Sequence, residues 1–168
     1  MLYESTRGGI KDLHSADAIK MGIAPDGGLF VPQQGVHFTL EQIGKITQMD
    51  FRERAFTVLS GFLDDYSRNE IEECVSRAYT SEKFGSDSIA PMQRLNNHIH
   101  VLELWHGPTC AFKDVALQIL PHLLTKAAVK TGAPEEIVIL VATSGDTGKA
   151  ALEGFRDVEG TKIIVFFP

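Results

Sequence analysis

A lysine stands where the chain changes from a strand pattern to a helix pattern. Residues 99–105 alternate in polarity, which predicts a strand paired in a hairpin with residues 91–95, and an apolar-periodic run beginning at Lys113 predicts a helix. The loop before the lysine is short and stiff, because Gly107 permits an unusual backbone angle and Pro108 fixes one. The sequence therefore predicts that Lys113 lies at the rim of a sheet.

The surroundings of this lysine favour a nucleophilic amine. Ala111 and Phe112 give Lys113 apolar neighbours, and the amino end of a helix carries partial positive charge. Both features disfavour the ammonium form, and an uncharged lysine amine is suited to forming an imine. The alternative is a Lys113 that points into solvent from the first helical turn, and the local pattern alone does not choose between the two.

A second polar loop follows the next apolar strand pattern. Residues 138–142 predict a strand that runs into a glycine-rich turn at residues 143–148 and then into a helix. Open α/β sheets bind ligands at the carboxyl ends of their strands, so this turn and the Lys113 loop are expected at the same edge. Backbone amides and hydroxyls at a helix amino terminus form a natural anion site. The hydroxyls belong to Thr143, Ser144 and Thr147.

The same turn does not fit a nucleotide-binding P-loop. That motif needs a glycine farther upstream, and the chain has none at that place. It also needs a serine or threonine after its lysine to bind magnesium, whereas Ala150 follows Lys149. The turn is therefore interpreted as an anion site of another kind.

Four stretches resemble those of one enzyme family. Residues 106–114 read His-Gly-Pro-Thr-x-Ala-Phe-Lys-Asp, with Cys110 in the variable place, and resemble the cofactor-lysine motif of the threonine synthases. The other three stretches are residues 1–8, 22–32 and 143–148, which follow the order of that family. The chain is thereby similar to roughly the first third of the threonine synthases, which are pyridoxal-phosphate enzymes of the tryptophan-synthase β fold group, or fold type II.

This resemblance implies an activity and a set of roles. Threonine synthases convert O-phospho-L-homoserine and water to L-threonine and phosphate, and the match implies that Lys113 holds pyridoxal 5'-phosphate and moves protons. It also implies that the substrate carboxylate contacts Ser144, Thr147 and Thr143, and that Asp146 lies beside the cofactor ring. An ionised Asp146 cannot donate a hydrogen bond to the ring oxygen, so helix capping by this residue stays open.

Two other functions stay open as well. Another lyase or dehydratase of the fold group, acting on a hydroxy or phosphorylated amino acid, would share Lys113, although the matches at residues 3–8 and 24–32 favour threonine synthase. A noncatalytic paralogue that binds an amino acid or phosphate is the alternative of another class. In the family, the phosphate cradle and the residue facing the pyridine nitrogen come later, so residues 1–168 alone are expected to bind the cofactor weakly and turn over slowly or not at all.

Three further side chains each have a chemical and a structural interpretation. Arg7 can reach a phosphate or carboxylate, but a structural ion pair is favoured. His106 can shuttle protons, but a hydrogen bond that fixes the lysine loop is favoured. Cys110 can be reactive, but a small buried filler is favoured.

The composition limits the classes of partner. The 168 residues are 43% hydrophobic and carry a net charge of −6, with a pI near 5.5. An acidic chain argues against nucleic acid or an anionic membrane as a partner, and the sequence shows no bilayer-spanning stretch and no secretory signal pattern. Two cysteines make no disulfide framework, and no spacing resembles a metal site. We expect a cytoplasmic protein with a small-molecule substrate.

The pattern of elements predicts a mixed α/β chain of two domains. Residues 1–95 predict a small, mostly helical domain with short strands, and residues 96–168 predict the start of a three-layer α/β domain with a parallel sheet. Pro121 is expected to kink or split the helix predicted for residues 113–130. The last predicted strand, residues 161–167, is continuously apolar from residue 163 onward and has no following helix to cover it, so a longer protein is expected.

Local signals predict several helix starts in the first domain. Ser15 is expected to cap the first helix. The pairs Thr39 with Gln42 and Ser67 with Glu70 have the form of capping boxes. The helix after Thr39 has apolar positions at Leu40, Ile43 and Ile46. The helix after Ser67 is expected to turn an apolar stripe inward, made of Ile71, Val75, Ala78 and Tyr79.

Overall fold

The computed structural model describes residues 1–132, 136–143 and 145–167. The strands are β1 (Tyr3–Ser5), β2 (Phe30–Pro32), β3 (Met92–Arg94), β4 (His100–Leu102), β5 (Ile137–Ala142) and β6 (Thr161–Phe166). The helices are α1 (Ser15–Met21), α2 (Leu40–Ile46), α3 (Phe51–Phe62), α4 (Arg68–Ala78), α5 (Ser81–Phe84), α6 (Asp114–Leu117), α7 (Leu120–Lys130) and α8 (Asp146–Phe155). In this described part of the chain, no helix is long and apolar enough to cross a membrane.

The strands pair in separate two-stranded sheets. β1 pairs antiparallel with β2, and β3 pairs antiparallel with β4 in the predicted hairpin. β5 and β6 pair in parallel, from Ile137 opposite Thr161 to Ala142 opposite Phe166. Parallel neighbours need a crossover connection, which α8 provides. The predicted mixed α/β class is therefore confirmed.

β4 does not join the parallel sheet, contrary to the prediction for residues 99–105. Its hydrogen-bonded neighbour among the described strands is β3, and the Leu95 amide closes the tip by donating to the Ile99 carbonyl at 3.0 Å. A short polar tip joins antiparallel neighbours, whereas a parallel neighbour needs a longer crossover connection. The alternation of parallel strand and helix therefore begins at β5.

The described chain divides into two compact units. Unit 1 contains Met1–Cys74 and Leu123–Pro134, and unit 2 contains Val75–His122 and Glu135–Pro168. The boundaries between the units fall inside α4 and inside α7, because the units are defined by contacts between residues and not by their order in the chain. The boundary expected at residue 95 stays a prediction.

Ser15 does not cap α1, so that prediction was wrong. His14 holds the N-cap position without a side-chain hydrogen bond. Ser15 is buried, and its hydroxyl donates to the carboxylate of Asp65, which also accepts from the Ala16 amide at 3.0 Å. The partner is 50 residues away along the chain, so a local pattern cannot reveal it. The start of α1 is therefore fixed by a tertiary contact within unit 1.

Both predicted capping boxes form. The Thr39 hydroxyl accepts from the Gln42 amide at 3.2 Å. In the second box, the Ser67 amide donates to the Glu70 carboxylate, and the Ser67 hydroxyl accepts from the Glu70 amide. The apolar positions of α2 are largely exposed, with Leu40 87% accessible. A stripe that does become buried lies on α4 and the residue after it, and consists of Ile71, Val75, Ala78 and Tyr79.

Arg7 takes part in a hydrogen-bonded turn of unit 1. The Asp26 carboxylate accepts from the Ser5 hydroxyl at 2.7 Å and from the Gly28 amide at 2.9 Å. The hydrogen bond from Ser5 is the main reason that the pKa of Asp26 lies below its ordinary value. The Arg7 guanidinium donates to the Asp26 carbonyl at 3.1 Å, so Arg7 holds the turn through a carbonyl where the sequence favoured an ion pair.

The long helix expected after the lysine is split, as Pro121 indicated. α6 ends at Leu117 and α7 begins at Leu120. Pro121 thereby falls in the first turn of α7, where an amide hydrogen has no intrahelical acceptor. Lys113 is thus followed by a separate short helix, α6, which has only four residues.

Helices α6 and α8 approach closely within unit 2. A Cβ atom at Gly154 would lie 2.9 Å from the carbonyl carbon of Leu117 and nearer still to its oxygen. A backbone carbonyl cannot turn aside as a flexible side chain can, so this crossing requires glycine. The position of α6, and of the lysine loop before it, therefore depends on Gly154.

The sheet of β5 and β6 alternates in burial along both strands. α8 packs on one face, where Gly148 lies against Val165. On the other face Leu140 and Phe166 are 66% and 59% accessible. One face is therefore packed, and the other is an exposed apolar surface.

We predict that Gly154→Ala destabilises the protein by about 1–3 kcal/mol, because the added methyl group overlaps the Leu117 carbonyl. Chemical denaturation followed by circular dichroism measures this change in the free energy of unfolding. The matched control is Gly44→Ala in α2, where an added Cβ meets nothing within 4 Å. This control is expected to raise stability by about 0.5–1 kcal/mol, since alanine favours the helix. Equal effects of the two substitutions would contradict the close approach.

Candidate active site

Lys113 occupies the N-cap position of α6. Its side chain is half-buried, and its Nζ lies 5.0 Å from the centroid of the exposed Phe112 ring. Within the described residues the amine forms no ion pair. An amine that is not held by a carboxylate is available to react with a carbonyl group.

Asp114 holds the lysine loop in shape. This residue is fully buried, and its carboxylate accepts from the Thr109 hydroxyl at 2.7 Å and from the Thr109 amide at 2.9 Å. The Ala111 amide donates a third, longer bond at 3.4 Å. Neither Asp114 nor Thr109 was expected to have a role from the sequence. A signal was present, because an acidic residue in the first turn of a helix accepts nearby amide hydrogens.

The loop closes on itself at Gly107. A Cβ atom at this position would lie 2.5 Å from Oδ2 of Asp114 and 2.8 Å from its Cγ. The Gly107 carbonyl also accepts from the Cys110 amide at 3.0 Å. Gly107 is therefore needed because no side chain fits against Asp114, which the sequence did not indicate.

His106 and Cys110 lie on either side of this turn. The Nε2 of His106 is 2.7 Å from Oε2 of Glu103, which matches the structural interpretation of a hydrogen-bonded histidine. Cys110 is exposed, so the prediction of a buried filler was wrong. Its φ of 58° lies in the left-handed region, and this backbone turn places the side chain outside the core.

Tyr79 anchors the first turn of α6. Its hydroxyl donates to the Val115 carbonyl at 2.8 Å. Burial raises the pKa of Tyr79 to about 12, so the phenol stays a neutral donor at neutral pH. The helix that follows Lys113 is thereby tied to a buried residue of the same unit.

The second loop begins at the end of β5. The Thr143 amide donates to the Phe166 carbonyl at 3.1 Å, and the Thr143 hydroxyl accepts from the Gly145 amide at 3.4 Å. A Cβ atom at Gly148 would lie 2.5 Å from Cγ2 of Thr143. Thr143 is therefore half-buried and held by the backbone around it, with its hydroxyl directed to the loop.

Asp146 and Thr147 are exposed in the first turn of α8. Asp146 Oδ1 lies 3.7 Å from Nζ of Lys149. The cap position is held by Gly145 without a side-chain hydrogen bond, so the alternative of Asp146 as the capping residue is not realised. Ser144 lies outside the described residues, and its role stays a prediction.

Both loops belong to unit 2. Lys113 precedes α6, Thr147 lies in α8, and these helices contact each other at Gly154. The structure thus brings the two predicted loops into one compact unit, whereas Arg7 belongs to unit 1. Across the described ranges, no group of three potential metal ligands is found.

Known proteins share this arrangement. Residues 2–79 match the family model described as the threonine synthase N terminus. The threonine synthase of Pseudomonas aeruginosa is 41% identical over 169 residues, covering 100% of this chain and 35% of that protein. The PLP-bound threonine synthase from Brucella melitensis is 40% identical, with a TM-score of 0.92 over 100% of this chain and 36% of that one. Over its whole length the chain is similar to the amino-terminal third of the threonine synthases.

The similarity to the threonine synthases includes both loops of unit 2, because the alignments extend beyond residue 79 to the whole chain. A protein of Xenopus laevis described as threonine synthase-like 2 is also 35% identical over 170 residues, covering 100% of this chain and 35% of that protein. The chain spans about a third of the length of these relatives. The resemblance inferred from four short stretches is confirmed.

We predict that Gly107→Ala lowers the free energy of unfolding by about 1–3 kcal/mol, because its methyl group displaces the buried Asp114 carboxylate. Gly35→Ala is the matched control, since an added Cβ there meets His37 at an ordinary 3.5 Å. This control is expected to change stability by no more than about 0.5 kcal/mol. Urea unfolding of both variants makes the comparison, and a Gly107→Ala variant as stable as the control would show that the loop is not closed on Asp114.

Proposed function

We propose that this chain is the amino-terminal portion of a pyridoxal-phosphate-dependent threonine synthase. The complete protein would act as a carbon–oxygen lyase on a phosphate ester, converting O-phospho-L-homoserine and water to L-threonine and phosphate. The observation that carries the proposal is the Lys113 amine, which forms no ion pair with described residues and begins α6 in the unit that holds Thr143 and Thr147. Similarity to the threonine synthases over the whole length of the chain supports the same assignment.

The side chains present fit pyridoxal phosphate. This cofactor supplies an aldehyde that a lysine amine can bind and an aromatic ring that stores electrons during reaction at neighbouring carbons. Lys113 would hold the aldehyde carbon through Nζ, and the rigid loop before it would limit the directions that the amine can take. Asp146 would lie beside the ring. An ionised Asp146 only accepts hydrogen bonds, so contact with the ring oxygen requires a shared proton.

Lys113 would also move the protons of the reaction. The freed amine of Lys113 would accept protons from the α and β carbons as the γ-phosphate leaves, and would deliver protons to the γ and α carbons. Water would supply the hydroxyl group at the β carbon. Thr143, Ser144 and Thr147 would hold the substrate carboxylate, since hydroxyls and free amides at the start of α8 favour an anion.

Wider assignments follow from this proposal. Residues 1–95 would form the amino-terminal domain, and residues 96–168 would form the first part of the cofactor-binding α/β domain. The protein would work in the cytoplasm on a small-molecule substrate, with neither nucleic acid nor membrane as partner, in keeping with a net charge of −6. Residues 1–168 alone would bind the cofactor weakly and turn over slowly or not at all.

We predict that borohydride reduction of the complete protein with pyridoxal phosphate fixes the cofactor to Lys113, because its amine has no carboxylate partner among the described residues. Absorption spectra before and after reduction detect the adduct, and peptide mapping locates it. Lys113→Ala should abolish this adduct and reduce threonine formation at least about a hundredfold, since general acid–base catalysis is lost. Lys149→Ala is the control and should keep the adduct at Lys113.

The outcomes separate the competing functions. Threonine and phosphate formed from O-phospho-L-homoserine support threonine synthase. Release of a 2-oxo acid and ammonia from a hydroxy amino acid, with no phosphate release, would identify a dehydratase of the same fold group. An adduct on Lys149, or none at all, would contradict the proposal and leave a noncatalytic binding protein.

A further inference from the structure

Asp114 is a buried acidic residue of unit 2 that the roles assigned to the site do not use. Its side chain is 0% exposed, yet it carries a carboxylate. The charge is compensated locally by the Thr109 hydroxyl and amide at 2.7 and 2.9 Å, with the Ala111 amide at 3.4 Å. Each donor belongs to the short loop that precedes the helix. The carboxylate therefore accepts hydrogen bonds from the loop that leads to Lys113.

The packing around the carboxylate is as close as its hydrogen bonding. Gly107 lies so near that an added Cβ would be 2.5 Å from Oδ2. Gly107 and Asp114, the two ends of the loop, are therefore in contact. Lys113 directly precedes Asp114 in the chain. A side chain that closes a loop at both ends restricts every backbone angle in between.

The backbone of Lys113 is also held from the helix side. Its carbonyl accepts from the Ala116 amide at 3.1 Å and from the Leu117 amide at 2.9 Å. The Asp114 amide in turn donates to the Ala111 carbonyl at 3.0 Å. The first turn of the helix therefore holds the backbone of Lys113 on one side, and the side chain of Asp114 holds the loop residues Thr109 and Ala111 on the other.

We propose that Asp114 is a positioning residue for Lys113: its carboxylate, held by Thr109 and packed on Gly107, sets the direction in which the lysine amine leaves the loop. This inference rests on the proposed function of Lys113. Asp114 acts through the backbone and touches neither cofactor nor substrate. Removing its charge weakens all of its hydrogen bonds together, because bonds to an ionised acceptor are the stronger ones. The loop then adopts further shapes, in which the amine is displaced.

A purely structural role is the competing explanation, and a matched residue in unit 1 represents it. Asp65 also accepts a serine hydroxyl and a backbone amide, from Ser15 and Ala16. Asp65→Asn therefore makes the same chemical change at a hydrogen-bonded aspartate of the other compact unit. It is expected to lower stability without changing the reactivity of Lys113.

The test uses the complete protein freed of cofactor, at a temperature at which every variant is folded by circular dichroism. Trace labelling with acetic anhydride, read by peptide mass spectrometry, gives the reactivity of Lys113 relative to Lys149 in the same molecule. Stopped-flow absorbance then gives the rate at which pyridoxal phosphate binds to Lys113. The first readout needs neither cofactor nor substrate.

We expect Asp114→Asn to slow the reaction of Lys113 with pyridoxal phosphate by about tenfold to a hundredfold, because small displacements of a reacting group have effects of this size. The Lys113-to-Lys149 labelling ratio should change with it. Asp65→Asn should leave both readouts within about twofold of the unchanged protein, as independent sites do. Equal effects of the two Asp→Asn substitutions on Lys113 would overturn the proposal.

Thr109 provides a second route to the same answer if Asp114→Asn does not fold. Thr109→Val removes the hydroxyl donor and should slow Lys113 in the same direction, and Thr109→Ser, which keeps the hydroxyl, should restore most of the rate. A Thr109→Val protein with unchanged Lys113 reactivity would overturn the proposal. Should Lys113 fail to bind pyridoxal phosphate while its acetylation still depends on Asp114, the proposed function fails and the positioning role stands.

Discussion

The lysine loop depends on one buried carboxylate. A charge taken out of water is costly unless its oxygens accept hydrogen bonds, and Asp114 meets this cost with donors from Thr109 and Ala111. The donors are thereby held in place by the group that they stabilise. The same side chain leaves no room for a Cβ at Gly107, so the loop has one closed shape. The backbone at Lys113 is held by this shape, and its amine lies over the Phe112 ring.

A second constraint sets the distance between the two loops of unit 2. Gly154 lets α8 meet the backbone of Leu117, and Gly148 lets the start of α8 lie against Thr143 and Val165. Contacts with backbone atoms and short side chains adjust little, because such atoms have few alternative positions. The helix that follows Lys113 and the helix that carries Asp146 are therefore held at a spacing decided by glycines.

The sequence predicted those parts of the fold that depend on interactions between residues close together in the chain. The Thr39 and Ser67 capping boxes, the split at Pro121 and the parallel pair of β5 and β6 follow from neighbouring residues or from simple alternation. The sequence could not predict contacts between residues that are far apart in the chain, such as Ser15 with Asp65 or Gly154 with Leu117. At the site, the motif indicated Lys113, but the function of Asp114 emerged only from its hydrogen bonds and burial. The exposure of Cys110 follows from a left-handed backbone turn that the motif does not reveal.

Lys113 as the cofactor-binding residue, on a loop closed by Asp114, is the central claim. A crystal structure of the complete protein with pyridoxal phosphate tests it most directly. We expect continuous electron density from Nζ of Lys113 to the aldehyde carbon of the cofactor, with the hydrogen bonds between Thr109 and Asp114 intact. Density that joins the cofactor to Lys149, or a cofactor bound away from both loops, would contradict this account.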